Sequence, residues 1–207
     1  MIEQALNLFL MFLVVVDPIS LAPLYMALTR EVPEAQRRHM AVKGVLVATG
    51  VLVAFLFLGR YLLEVLGVGM PAFRIAGGIL LFLLAIDMIF ARQSGLRSTT
   101  ARERAEASHR LDISVFPLAI PLIAGPGTMT TLLLVSEADA GPWELALVLA
   151  VLLSVLLLTL ASLLTAERIV RLIGETGSNV VSRVLGIILA ALAVQYVLDG
   201  VNTGLGA

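Results

Sequence analysis

Long apolar runs alternate with short polar connections along this chain, and six runs can be drawn: about Ala5 to Leu28, Met40 to Leu66, Pro71 to Ala91, Ile113 to Ser136, Trp143 to Thr165 and Val180 to Asp199. Each is close to the roughly 20 residues that a helix needs to cross the hydrocarbon core of a bilayer. In lipid the backbone must satisfy its own hydrogen bonds, which leaves helices as the economical structure; a barrel would show short alternating strands. The pattern predicts an all-α polytopic membrane protein with six transmembrane helices.

The polar connections assign sidedness. Arg30, Arg37, Arg38 and Lys43 follow the first run; Arg92, Arg97, Arg102, Arg104 and Arg110 follow the third; Arg168, Arg171 and Arg183 follow the fifth. These are all but two of the 14 basic residues, the others being Arg60 and Arg74. By the positive-inside rule both termini are expected outside and the 92–111 linker in the cytoplasm. Within that linker, residues 101–110 carry the mixed charges of a short surface helix, and a solvated, topology-setting linker is favoured over a partner-binding role. Trp143, at the outer start of the fifth run, has the character of an interfacial anchor.

Two runs are interrupted at their centres. The first contains Asp17-Pro18-Ile19-Ser20-Leu21-Ala22-Pro23, which sets a carboxylate and two prolines where a spanning helix least tolerates them. Asp favours the N-cap and Pro the first helical position, so a half-helix is expected to start at Pro18. The fourth run contains Pro117, Pro121, Gly125, Pro126 and Gly127, too many breakers for one straight helix, with Gly125 as N-cap and Pro126 opening a second half-helix. A simple proline kink would explain either break alone.

The two breaks stand in register. Pro126 falls on Pro18 and Thr128 on Ser20 at one offset, and Arg183 with Gly186 falls on Arg74 with Gly77 at nearly the same offset. We therefore expect two three-helix repeats, residues 1–91 and 112–207, joined by the 92–111 linker. A unit with an odd number of spans must invert when repeated, and inverted repeats with interrupted helices point to a secondary transporter and its binding site.

With that topology the half-helices beginning at Pro18 and Pro126 have N-termini that converge at mid-membrane, where orphan N–H groups suit a small carboxylate. Asp17 has Gly125 as its counterpart, so one site carries a charge and the other does not. Two readings of Asp17 stand side by side: it receives an ammonium or coupling cation, or it only caps its own half-helix. Ser20, Thr128, Thr130 and Thr131 offer hydroxyls, each of which can instead return to its own helix backbone. Asp87 is expected to reach the inner interface, and Gln195 to make an interhelical hydrogen bond.

Composition narrows the field. The 207 residues are 59% hydrophobic and 14% charged, outside the range of a soluble domain. A net charge of −1 gives no reason to expect nucleic acid, and no cysteine is present for a disulfide, thiolate metal site or nucleophile. His39 and His109 are the two imidazoles and lie in charged connections, which argues against a histidine metal site. The acidic Met1-Ile2-Glu3-Gln4 start is unlike a removable signal peptide. No cofactor is expected. An intramembrane aspartyl protease would need two facing carboxylates, and Asp87 is too far from Asp17 along its span to supply the second.

The Asp17-to-Leu24 stretch, the Pro117-to-Thr128 stretch and the Arg74-x-x-Gly77 motif together resemble the MarC family of bacterial and archaeal membrane proteins, named for an association with multiple antibiotic resistance. The resemblance implies a transporter-like protein of the plasma (inner) membrane, with small neutral amino acids such as glycine and alanine as the leading substrates; the Asp17 carboxylate adds the expectation of a proton or sodium ion as coupling ion. The two helix breaks place the expected substrate site at Asp17, Pro18, Ser20 and Pro23 on one side, and at Pro121, Gly125, Pro126, Gly127 and Thr128 on the other. The competing reading is a non-transporting scaffold or regulator of the envelope stress or antibiotic response, for which Asp17 would be dispensable.

Overall fold

Apolar runs and prolines dictate the observed elements in the computed structural model, which describes residues 2–91, 112–136 and 141–206 and contains only helices among them. Helices α1 (Ile2–Val16) and α2 (Pro18–Leu28) form the first apolar unit, divided at a single residue, Asp17. Next come α3 (Glu34–Val65) and α4 (Met70–Phe90). A wide π-type segment, Ser114–Ile123, is followed by α5 (Pro126–Val135) at an angle of 49°. The chain closes with α6 (Pro142–Leu164) and α7 (Ala166–Leu205), the latter kinked at Gly174. Among the described residues five helical units, α1 with α2, α3, α4, α6 and α7, are long and apolar enough to cross a membrane, six spans when the bent pair is counted as one. The expected surface helix at 101–110 lies outside the described residues.

Prolines shape the fourth run more strongly than a single break would. Pro117 and Pro121 each follow a cis peptide bond, and Phe116 and Ile120 have extended φ/ψ, so the first half of this run is not a regular α-helix. A ring nitrogen has no hydrogen to give to the preceding turn, and the residue before it is pushed out of the α region. The entry to this segment is held by Asp112, whose carboxylate accepts from the Ser114 N–H at 2.9 Å and from the Ser114 hydroxyl, and pairs with Lys43 of α3 at 2.5 Å. The Lys43 hydrogen bond, and then those of Ser114, lower the Asp112 carboxyl to about 2.

Burial is organised in two clusters. The larger joins α1, α2, α3, the proline-rich segment, α5 and α6 through Phe12, Val16, Leu52, Leu118, Ile123 and Leu152 among others. The smaller joins α1, α4, α5 and α7 through Val14, Leu81, Leu84, Leu134 and Leu189. Many outward-facing apolar side chains, such as Leu46, Phe57, Leu157 and Ile187, are exposed, as lipid-facing positions must be. Trp143 is exposed at the start of α6, where the Glu144 carboxylate accepts from the Gly141 N–H at 3.0 Å.

Helices α4 and α7 pack antiparallel and very close. A Cβ added at Gly78 would lie 2.7 Å from the Ala193 carbonyl oxygen; one at Gly186, 3.1 Å from the Ala85 carbonyl oxygen; one at Gly200, 2.9 Å from the Pro71 carbonyl oxygen. Lipid tails are as apolar as leucine, so helices in a bilayer associate through such backbone approach and its dispersion contacts. Gly78→Ala is therefore expected to destabilise the detergent-solubilised protein by about 1–3 kcal/mol, the usual range for overpacking. Gly50, with nothing within 4 Å of an added Cβ, is the control. Gly50→Ala should be neutral or slightly stabilising because alanine is the better helix former. Thermal unfolding of the two variants checks this, and equal losses would show that the α4–α7 contact is not specifically tight.

Candidate functional site

Asp17 is fully buried and ends one helix while beginning the next. Its N–H donates to Leu13 O at 2.9 Å, closing α1, and its carbonyl accepts from the Ser20 and Leu21 N–H groups at 3.2 Å each, opening α2. The backbone between sits in the left-handed region at φ 45, where a short polar side chain is better tolerated than most. Asp17 Oδ1 caps α2 by accepting from the Ser20 N–H at 3.3 Å. Its other oxygen, Oδ2, accepts from Ser182 Oγ of α7 at 2.6 Å. Capping and a second role are thus divided between the two oxygens of one carboxylate.

Around this break stand hydroxyls that pattern reasoning missed. Ser162 of α6 donates to the Pro18 carbonyl at 2.6 Å. Ser20 and Ser182 share a short hydroxyl–hydroxyl hydrogen bond, and Ser178 donates to Ile19 O at 3.4 Å, with Ser20 Oγ at 3.5 Å. Pro23 explains one of these contacts: within α2 the Ile19 carbonyl would normally accept from residue 23, and proline has no N–H to give. Pro23 thus acts through the carbonyl it frees. The signal in the sequence is the four-residue spacing of Ser178 and Ser182, which puts both on one face of α7; it is a weak signal, because serine in a membrane helix commonly bonds its own backbone.

The second break is built differently. Gly125, buried, is the N-cap of α5 with Pro126 at the first helical position. A side chain at Gly125 would collide with the Pro121 carbonyl oxygen, so the turn requires glycine. Pro126 itself is exposed. No side chain caps α5, in contrast to α2. The Thr128 hydroxyl turns back to Ile123 O at 2.9 Å rather than into a site, while buried Thr131, one turn beyond Gly127, has an unpartnered hydroxyl. Thr130 is buried with its methyl group over Gly77.

The two breaks are neighbours. An added Cβ at Gly127 would lie 3.4 Å from Val15, two residues before Asp17, and 2.7 Å from Leu84. Val16, Leu21 and Ala22 at the first break share one buried cluster with Ile123 and Ala124 at the second. One other expectation is corrected. Gln195 donates to Asp199 of its own helix at 2.8 Å, not across helices, because residues four apart share one helix face and bring the carboxylate within reach. Asp87 is buried near the end of α4.

Fold and site together define a polytopic integral membrane protein with a buried carboxylate at a helix break beside a second broken span. The profile of the MarC family of integral membrane proteins matches residues 2–205, and the chain belongs to that family. It is 36% identical to a UPF0056 membrane protein of Methanocaldococcus jannaschii over 92% of both chains. It is 32% identical to the UPF0056 membrane protein YvbG of Bacillus subtilis over 98% of this chain and 96% of that one. With a UPF0056 membrane protein of Aquifex aeolicus the identity is 34% over 94% and 90% respectively. No solved structure matches the chain.

The cross-helix hydroxyls make a stability prediction. Ser162→Ala removes a cross-helix hydrogen bond to the buried Pro18 carbonyl, which keeps its place in the α2 ladder, and should cost about 0.5–1.5 kcal/mol. Ser154, exposed and bonded to Ala150 O of its own helix, is the comparison; Ser154→Ala should change stability by less than about 0.5 kcal/mol. Chemical or thermal denaturation in detergent measures both, and a neutral Ser162→Ala would remove α6 from the support of this site.

Proposed function

We propose that this protein is a secondary transporter of small neutral amino acids of the glycine and alanine type, with its site between the breaks at Asp17 and Gly125. The observation that carries the reading is the Asp17 carboxylate, fully buried at a helix break whose neighbour, the start of α5, has no side-chain cap. An ionisable group inside a membrane protein is costly and marks a substrate or ion path more often than a structural need. In this reading Asp17 receives the substrate ammonium or a coupling ion, while the N–H groups at Gly127 and Thr128 and the unpartnered Thr131 hydroxyl receive the carboxylate. The crowding of Gly127 by Val15 and Leu84 supports a small substrate, since no bulky side chain fits without displacing them.

The ends of the molecule fit such a carrier in a closed state. A cavity of about 100 Å³, lined by Gln4, Leu8, Val135, Ser136, Glu144 and Val148, lies one turn beyond buried Phe12 and Thr131. At the opposite end Tyr25 is buried, its hydroxyl donates to the Arg37 carbonyl, and the Arg37 guanidinium lies 3.8 Å from Glu167 of α7. Residues 1–91 and 112–207 are read as inverted repeats in the plasma (inner) membrane, with both termini outside.

Two measurements test this. Reporter fusions at each terminus should place both outside the cytoplasm; an inward C-terminus would overturn the inverted-repeat topology. In proteoliposomes, Asp17→Asn should abolish accumulation of labelled glycine or alanine yet fold normally, because asparagine also caps helices and tolerates the left-handed backbone. Asp17→Ala should in addition lose about 1 kcal/mol of cap stability. Full uptake by Asp17→Asn would reduce the carboxylate to a cap.

A further inference from the structure

The polar groups at the first break form a line rather than a cage. Ser182 donates to Asp17 Oδ2 at 2.6 Å, the Ser20 hydroxyl is in direct hydrogen-bond contact with Ser182, and Ser178 follows at 3.5 Å from Ser20. All but one of these side chains are buried, and Ser20 is half-buried. Ser178 precedes Ser182 by one turn of α7, towards the end of the molecule where Arg37, Arg38, Glu167 and Arg171 gather. One turn further that way α7 kinks at Gly174, where an added Cβ would find nothing within 4 Å.

We propose that Ser178, Ser20 and Ser182 are a hydroxyl relay that carries a proton between the arginine-rich end of the protein and Asp17, so that the coupling ion is a proton. The inference rests on the transport reading only for what the proton drives; the relay itself is a property of these four side chains. A hydroxyl is both donor and acceptor, so a proton arriving from water at Ser178 Oγ displaces that group's own proton to Ser20 Oγ, then one from Ser20 to Ser182, and one from Ser182 to Asp17 Oδ2. The carboxylate becomes a carboxylic acid, each hydroxyl keeps one proton, and rotation about its C–O bond restores the starting order. Nothing is oxidised or reduced.

The geometry favours a proton over a metal ion. Oxygen ligands surround a cation from about 2.3–2.6 Å for Ca²⁺, so the ion sits between them and holds them apart. Here the Asp17, Ser182 and Ser20 oxygens are linked in sequence by hydrogen bonds, the contact along which a proton passes. The weak link is Ser178, whose hydroxyl is shared between Ile19 O and Ser20 Oγ at distances near the limit of hydrogen bonding. The carbonyl competing for it is the one that Pro23 leaves without a backbone donor. Rotation of Ser178 from Ile19 O to Ser20 closes the wire, and the reverse opens it. Ser20 N–H and Ser182 Oγ contact the Asp17 carboxylate, Ser162 and Ser178 reach the carbonyls that follow it, and Arg183, next on α7, is exposed.

The test uses the full chain in proteoliposomes. Ser178→Ala should lower pH-gradient-driven accumulation of labelled glycine or alanine by about 100-fold, the low end of what a positioned proton-transfer group contributes. Gradient-free exchange of the same amino acid should persist, which also reports folding, and Ser178→Thr, which keeps the hydroxyl, should restore accumulation. Unchanged accumulation in Ser178→Ala overturns the relay, as does accumulation driven by a sodium gradient at equal pH. A second readout needs no substrate: infrared difference spectroscopy after a pH jump follows the carboxylic-acid band that Asp17→Asn removes. Ser178→Ala should slow that band's appearance by a similar factor, and an unchanged rate overturns the proposal. If wild type exchanges neither glycine nor alanine, the transport reading fails while the infrared rates still decide the relay.

Discussion

The burial of the Asp17 carboxylate inside an apolar bundle is the constraint on which the rest of the site depends. A charge there is tolerable only if donors reach it, and the donors come from two directions: the Ser20 N–H within α2 and the Ser182 hydroxyl from α7. The backbone has the same problem, because a helix broken in mid-membrane exposes carbonyls that water cannot satisfy. Ser178 answers for Ile19, whose carbonyl Pro23 leaves without a backbone donor, and Ser162 adds a cross-helix donor to the Pro18 carbonyl. The break in α1–α2 is therefore completed by α6 and α7, helices more than a hundred residues away in sequence.

That dependence explains why the scaffold is tight where it is. α7 must hold Ser178 and Ser182 in fixed register against α2, and the close backbone approach of α7 to α4 through Gly78, Gly186 and Gly200 holds it there. The second break rests on the same elements: Gly127 packs between Val15 of α1 and Leu81 and Leu84 of α4. Any motion that separates α4 and α7 from α1 and α2 would loosen both breaks at once. At one end of the molecule α7 is tied to α3 by Arg37 and Glu167, a partly exposed pair worth little by itself and easily released.

The two breaks differ in what they leave available. α2 is capped by its own aspartate, which fixes a carboxyl group at the helix start, whereas α5 begins at a glycine that no side chain caps and continues into a buried hydroxyl with no partner. In the proposed transport reading these two breaks supply the opposite ends of the substrate site. Family membership adds the class of membrane protein, and the chemistry of the pair has to be read from these residues.

The sequence by itself determined the helical membrane class, the approximate span boundaries and both helix breaks. These are local consequences of apolar run length, of proline lacking an N–H, and of aspartate and glycine at helix starts, all legible over a few neighbouring residues. It also singled out Asp17 as the central charge. Tertiary structure alone decided which hydroxyls meet that charge, because Ser162, Ser178 and Ser182 look like ordinary helix serines until α6 and α7 dock against the first break. The same holds for Thr128, which turned back to Ile123 O, and for Gln195, which stayed on its own helix. A side chain's hydrogen-bond partner across helices depends on rotation and depth of packing, set by glycine approach and core complementarity summed over the whole bundle, and no short stretch of sequence encodes it.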